Sequence, residues 1–141
     1  MENKKTNELK GADSKLLAQE AVKLLIEKKA KDVRLYSVAE KTSVTDYYIN
    51  ATGRSSTHVG SLAGELADAL SERGAEHLHI EGRMGNAWVL IDYGDVIINV
   101  FDKPSREFYD FDRLQPAGSE VDISPLIAEV DEKMKINTAK E

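Results

Sequence analysis

Side chains able to do chemistry occur at several places in the chain, and each has a plainer structural role. Gly53-Arg54-Ser55-Ser56-Thr57 follows an aromatic, β-branched run and precedes a helical pattern. Free backbone amides at such a strand-to-helix turn attract anions, so the segment could cradle a phosphate. It lacks the lysine and glycine spacing of a P-loop, and the simpler role is Gly for the turn with Ser or Thr as the helix cap. His77 and His79 project to one side of a strand-like run and could form half a metal site. A catalytic zinc usually needs three protein ligands, and no third stands near them in sequence, so solvent-facing histidines are the simpler reading. Asp92 and Asp95 flank a turn, while Asp110 and Asp112 form a spaced acidic pair. Paired carboxylates could hold magnesium, but Asp equally suits turns and solvated helix ends.

Residues 88–114, WVLIDYGDVIINVFDKPSREFYDFDRL, carry a different signal. Trp88 and Leu90 share one strand face with Asp92, while Val89, Ile91 and Tyr93 point the other way. One set meets the core, and the other must be covered by a helix or a partner. Arg106, Phe108 and Tyr109 follow close behind. Trp, Tyr and Arg are the residues most enriched among interface hot spots, where one truncation can cost about 2 kcal/mol or more. The mixture points to an aromatic docking surface rather than a catalytic cleft.

The elements that must position these residues follow from periodicity. Residues 1–13 are polar and read as a disordered extension. Ser14 is expected to cap a first helix to about Lys29, with Leu17, Ala21, Leu24 and Leu25 on one face. Residues 33–38 and 47–52 read as strands one and two. A second helix to about Arg73 follows, its apolar face Val59, Leu62, Leu66 and Leu70, with Gly74 as the C-terminal cap. Residues 77–81 read as strand three, and the strand–helix–strand order predicts a parallel crossover from strand two. Residues 88–93 and 96–101 form an antiparallel hairpin about Gly94-Asp95. Pro104 suits the first turn of a short helix carrying Arg106 and Tyr109, and Ser124-Pro125-Leu126 opens one last short helix. The sum is an α/β layer, a mixed sheet of about five strands flanked by helices. Residues 14–116 form the domain, and 117–141 a C-terminal tail with a short helix.

With 141 residues, 41% of them hydrophobic and 31% charged, the chain has the composition of a soluble globular protein. It has no cysteine, which excludes thiol catalysis and thiolate metal sites. The N-terminal residues hold no signal-peptide core and no apolar run is long enough to span a bilayer, so no membrane association is expected and a cytoplasmic location is the simple expectation. The formal charge is −6, and residues 102–141 hold 10 acidic against 6 basic residues. Affinity for phosphate backbones requires a basic face, so direct nucleic-acid contact is expected to be minor at most.

Several separated motifs together resemble the ribosomal silencing factor (Iojap-like) family. They are Thr45-Asp46-Tyr47-Tyr48-Ile49 with Ala51-Thr52-Gly53, Ser55-Ser56-Thr57-His58-Val59, and Val89-Leu90-Ile91-Asp92-Tyr93-Gly94-Asp95-Val96. Val100-Phe101, Arg106-Glu107-Phe108-Tyr109 and Asp112-Arg113-Leu114 complete them, in the family's order from about Leu16 to Leu114. The resemblance implies a nucleotidyltransferase-like fold without the catalytic residues, no enzyme activity and no cofactor. It implies binding to the large ribosomal subunit through ribosomal protein L-fourteen, which blocks joining of the small subunit and represses translation under nutrient limitation. It also implies a homodimer. By position, Trp88 and Tyr109 match the family's aromatic contact residues, with Leu90, Asp92, Tyr93, Asp95 and Arg106 nearby. Asn99 stands where the family often has His, and Gln115 where it often has Trp.

Two other readings compete. A nucleotidyltransferase-type enzyme needs a Gly-Ser turn followed within about a helix by paired metal-binding carboxylates. Glu65 and Asp68 follow Gly53, but on a helix otherwise patterned by leucines. A direct RNA-binding module would show a steep salt dependence on naked RNA, and the acidic balance argues against it.

Overall fold

The computed structural model describes residues 5–139, with side chains described to 136. Within them the chain runs α1 (Ser14–Glu27), β1 (Lys31–Ser37), β2 (Tyr47–Gly53), α2 (Ser56–Glu72), β3 (His79–Glu81), β4 (Trp88–Asp92) and β5 (Val96–Asp102). It continues through α3 (Lys103–Tyr109), a 3-10 turn (Phe111–Leu114), β6 (Glu120–Val121) and α4 (Ser124–Ala139). The strands form one mixed sheet of six in the order β3-β4-β5-β2-β1-β6. The expected α/β layer is present, with one strand more than the sequence suggested.

Two parallel neighbours, β2 and β5, make the centre, with Ile49 opposite Ile98 and Asn50 opposite Asn99. The predicted crossover from β2 reaches a strand that does run parallel to it, but β5 and β4 stand between them. The long apolar strand β5, buried at every residue except its last, takes the central place instead. Residues in the middle of a sheet lose apolar area on both faces, so the most apolar strand belongs there. His79–Glu81, with two exposed polar residues about a half-buried Ile80, sits at the edge.

Helices α1 and α2 cover one face. Leu62, Leu66 and Leu70 of α2 and Val22 and Leu25 of α1 are almost wholly buried against Ile49, Val89, Ile91, Ile98 and Val100. Burying each such side chain contributes about 1.5–3 kcal/mol. Gly53 ends β2 where a Cβ would lie 2.8 Å from Cγ2 of Val59, so strand and helix approach closely only because that position is bare.

Four expectations need correction. Asp13, not Ser14, caps α1, its carboxylate accepting from the Leu16 amide at 2.8 Å, while the Ser14 hydroxyl donates to Asp46 at 2.9 Å. Residues 5–13 are not loose: Leu9 is 3% exposed, and the amides of Thr6 and Leu9 donate to the carbonyls of Glu72 and Arg73 at the end of α2. One buried leucine and the unpaired carbonyls of a helix end suffice to hold so short a polar run. His77 and Leu78 lie before β3 rather than in it. The tail holds a two-residue strand against β1 and a 16-residue helix, which returns across α1 through Lys23–Glu129 at 3.1 Å and Lys133–Glu27 at 3.2 Å.

Candidate functional site: an aromatic face on the uncovered side of the sheet

On the second face, strand register fixes which side chains meet. One row runs Glu81, Leu90, Asn99, Asn50 and Arg34, and the next His79, Asp92, Ile97, Tyr48 and Tyr36. A third row holds Trp88, Phe101 and Thr52. Helix α3 packs on β5 and β2 and reaches Trp88 of β4 through Tyr109, and Leu90 lines an open groove beside them. The 3-10 turn reaches β2 and β1 through Asp112. Asp110 makes this possible: at φ 48° it stops α3 and swings the chain back onto the sheet, a conformation Asp tolerates better than most residues.

Trp88 is the hub. Its ring stacks on Phe101 at 5.1 Å between centroids, leans on Tyr109 at 4.8 Å and reaches Phe111 at 6.2 Å. Phe111 in turn meets Tyr48 edge-on at 5.4 Å, and Phe108 meets Tyr109 at 5.1 Å. Such pairs contribute about 0.5–1.5 kcal/mol each beyond the area they bury. The outer rings stay open to solvent, Tyr109 at 49% and Phe108 at 81% exposure. Trp88 and Leu90 line a shallow groove of about 230 Å³ with Glu81 and Gly82. Glu81 is exposed at its edge, and Glu107 and Asp110 are exposed on either side of Phe108 and Tyr109 in the chain.

Beneath the rings runs a continuous hydrogen-bond chain. The Trp88 indole Nε1 donates to Asn99 Oδ1 at 2.9 Å, Asn99 Nδ2 to Asn50 Oδ1 at 3.1 Å, and Asn50 Nδ2 to Asp112 Oδ1 at 3.0 Å. Asp112 also accepts from the Tyr36 hydroxyl at 2.7 Å and from Arg106 Nε at 2.6 Å. Arg106, 7% exposed, donates from Nη1 to the Thr52 hydroxyl at 2.8 Å and from Nη2 to Asp112 Oδ1 at 3.2 Å. Burial alone would raise the Asp112 carboxyl, but donation from Arg106, Asn50 and Tyr36 outweighs it and holds the group below its ordinary value. Burial and then the bond to Asp112 push the Tyr36 phenol up.

The sequence-nominated residues divide accordingly. Trp88, Leu90 and Tyr109 come together, and Asp92 lies on the same face, its carboxylate accepting from the Gly94 amide at 2.7 Å. Arg106 lies underneath as a support instead of presenting its charge. Tyr93 turns to the helix-covered side, packing on the core and on the ring of His77 at 6.3 Å, and burial raises its phenol. Asp95 is exposed in the hairpin turn, where its carbonyl accepts from the amides of Asp46 and Tyr47. Asn50, Tyr36, Tyr48 and Phe111 were not singled out from sequence; Asn99 stood out only as a departure from the family pattern, and Asp112 only as half of an acidic pair. The strand alternation that placed Trp88 also places Asn99 on its face, so that signal was available. The pairing of β2 with β5, which aligns Asn50, was not.

The other candidates resolve into local structure. Ser55 caps α2 by accepting from the His58 amide at 3.1 Å, and the Arg54 amide donates to His58 Nδ1 at 2.9 Å. Two of the amides that a phosphate would use, those of Arg54 and His58, are thus engaged within the turn. Glu65 faces Lys28 at 3.3 Å on the solvent side of α2, and His79 faces Glu81 at 2.8 Å. Among the described residues, no cluster of three or more His, Asp or Glu could hold a metal ion, and no helix is long and apolar enough to cross a membrane.

Fold and face together define an α/β protein with a six-stranded mixed sheet and an aromatic surface on one of its faces. Residues 11–141 match the family model described as "Ribosomal silencing factor during starvation", and the chain belongs to that family. A ribosomal silencing factor of Zymomonas mobilis is 34% identical over 110 residues, covering 78% of this chain and 83% of the relative. A crystal structure of a Chromobacterium violaceum protein superposes with a TM-score of 0.70 at 30% identity, covering 79% of this chain and 96% of that one. A mouse relative named "Mitochondrial assembly of ribosomal large subunit protein 1" is 27% identical over 96 residues, 66% of this chain and 42% of its own length. The family match extends through the tail, which the sequence motifs, ending at Leu114, did not reach.

Proposed function

We propose that this chain silences ribosomes in the cytoplasm by seating its Trp88 face on ribosomal protein L-fourteen of the large subunit. Bound there, it blocks joining of the small subunit by steric exclusion and lowers translation when nutrients are limiting. The reading rests on one observation above all: Trp88 and Leu90 of β4 gather with Tyr109 of α3 beside an open groove, and Tyr109 stays 49% exposed. Membership of the silencing-factor family supports a ribosomal partner, and the large-subunit name of the mouse relative supports that subunit. The mechanism needs no proton transfer and no cofactor. Acidic residues about the rings suit a basic ribosomal protein, since opposite charge speeds encounter. Asp92 and Asp95 belong to this rim, and contact with ribosomal RNA is minor. The homodimer implied by the resemblance belongs to the same reading, and light scattering on the purified chain tests it.

Co-sedimentation with isolated large subunits tests the docking. The unchanged chain is expected to pellet with them, and Trp88→Ala with Tyr109→Ala to remain in the supernatant. If the unchanged chain stays unbound at low and moderate salt, or the double variant pellets equally, the proposal fails.

A further inference from the structure

We propose that Asn99, Asn50 and Asp112 are positioning residues that lock the Trp88 ring in its docking orientation before any partner arrives. This rests on the docking reading above. An indole N–H only donates and a carboxylate only accepts, so a chain from Trp88 to Asp112 admits one orientation of both amides between them. Each asparagine must present its oxygen toward Trp88 and its nitrogen toward Asp112. Asn99 and Asn50 are 1% and 0% exposed, so neither can exchange its bond for one to solvent. Their facing register on the paired strands β2 and β5 fixes their backbones as well. The far end is anchored from three directions, by Arg106 of α3, Tyr36 of β1 and Asn50 of β2.

Stacking alone would leave the ring freer. Phe101 below and Tyr109 beside it hold the plane of the indole but offer no directional contact to its edge. The bond to Asn99 supplies that direction. A partner meets a ring already ordered, and the fraction of molecules competent to bind stays near one. If that fraction falls to about one in ten, apparent affinity falls about tenfold with no contact residue changed.

Trp88 is the only tryptophan, so its fluorescence and its indole N–H signal report on this ring without a label. In the unchanged full chain the indole N–H is expected to exchange with solvent at least about tenfold more slowly than free indole. Asn99→Leu, similar in size but unable to accept, is expected to raise acrylamide quenching of Trp88 about twofold and weaken large-subunit binding about tenfold. Asn99→His, which can accept at one ring nitrogen and donate at the other, is expected to recover most of both. Circular dichroism confirms folding of each variant, and Asn50→Leu, one bond further from the ring, repeats the test should Asn99→Leu not fold. Indole exchange as fast as in the free compound overturns the inference, as does unaltered quenching in a folded variant. So does a loosened ring with unaltered binding while Trp88→Ala abolishes binding. Should Trp88→Ala itself bind like the unchanged chain, the docking reading fails and this role falls with it, whatever the ring's mobility.

Discussion

Arg106 Nε lies 2.6 Å from Asp112 Oδ2, joining α3 to the turn that follows it and burying an ion pair under the aromatic face. The two residues are six apart, and this contact joins the bonds from Tyr36 and Asn50 to Asp112 and the packing of Phe111 on Tyr48 in holding the 3-10 turn against β1 and β2. Removing one partner strands the other as a buried charge. Arg106→Met and Asp112→Leu are each expected to cost about 3 kcal/mol in denaturant unfolding. The double variant should cost clearly less than the two together, because neither charge is then left alone. Additive losses would mean that the pair is not coupled.

Acid should loosen the same corner. The Asp112 carboxyl is depressed in the folded chain, so its contribution is present above the ordinary carboxylate value and disappears as pH falls through the lower folded one. The groups facing it are Arg106 from α3, Tyr36 from β1 and Asn50 from β2, with Asp32 beyond Arg106. Melting midpoints are expected to hold down to about pH 4 and to drop below it. Asp112→Asn should flatten that drop.

At the alkaline end the sign reverses. Burial raises the phenols of Tyr36 and Tyr93, so their contribution is complete below the ordinary phenol value and lost as pH climbs through the folded ones. Stability should decline above about pH 10, where the unfolded chain begins to ionise.

Tyr93 offers a test of which face matters. Its hydroxyl is buried without a hydrogen-bond partner among the described residues, on the helix-covered side of the sheet. An unmade bond of this kind costs about 1–3 kcal/mol, so Tyr93→Phe should stabilise the fold by up to about 1 kcal/mol. Large-subunit binding should be unaffected. Loss of binding would place the docking surface elsewhere.

Gly82 guards the backbone of Trp88. It adopts φ 90°, and a Cβ there would collide with the Trp88 carbonyl oxygen. Gly82→Ala is expected to cost more than about 2 kcal/mol, from strain and from displacing the edge of β4. Thermal unfolding measures it, and a neutral result would show that the loop can move away freely.

Much of this architecture was legible in the sequence. The β4–β5 hairpin announced itself through two apolar runs about Gly94, and α2 through leucines at helical spacing ending at Gly74. Strand alternation also placed Trp88 and Leu90 on one face. What could not be read depends on pairing between distant segments. Nothing local says that β2 lies beside β5, so the alignment of Asn50 with Asn99 was invisible. Nor could a two-residue strand such as Glu120–Val121, which exists only because β1 offers it an edge. Arg106 looked like a presented hot-spot charge because its burial depends on Asp112 folding back over it. Asp13 and Ser14 are both good caps, and only the helix's true first residue separates them.

The rims of the sheet carry a last consequence. β3 has three residues and β6 two, so neither border presents a ladder long enough for another polypeptide to extend. Recruitment by strand addition is thereby discouraged at both ends. Recognition across side chains is favoured instead, for a second copy as for any other associate, and there a few substitutions can alter the choice of companion without disturbing the scaffold.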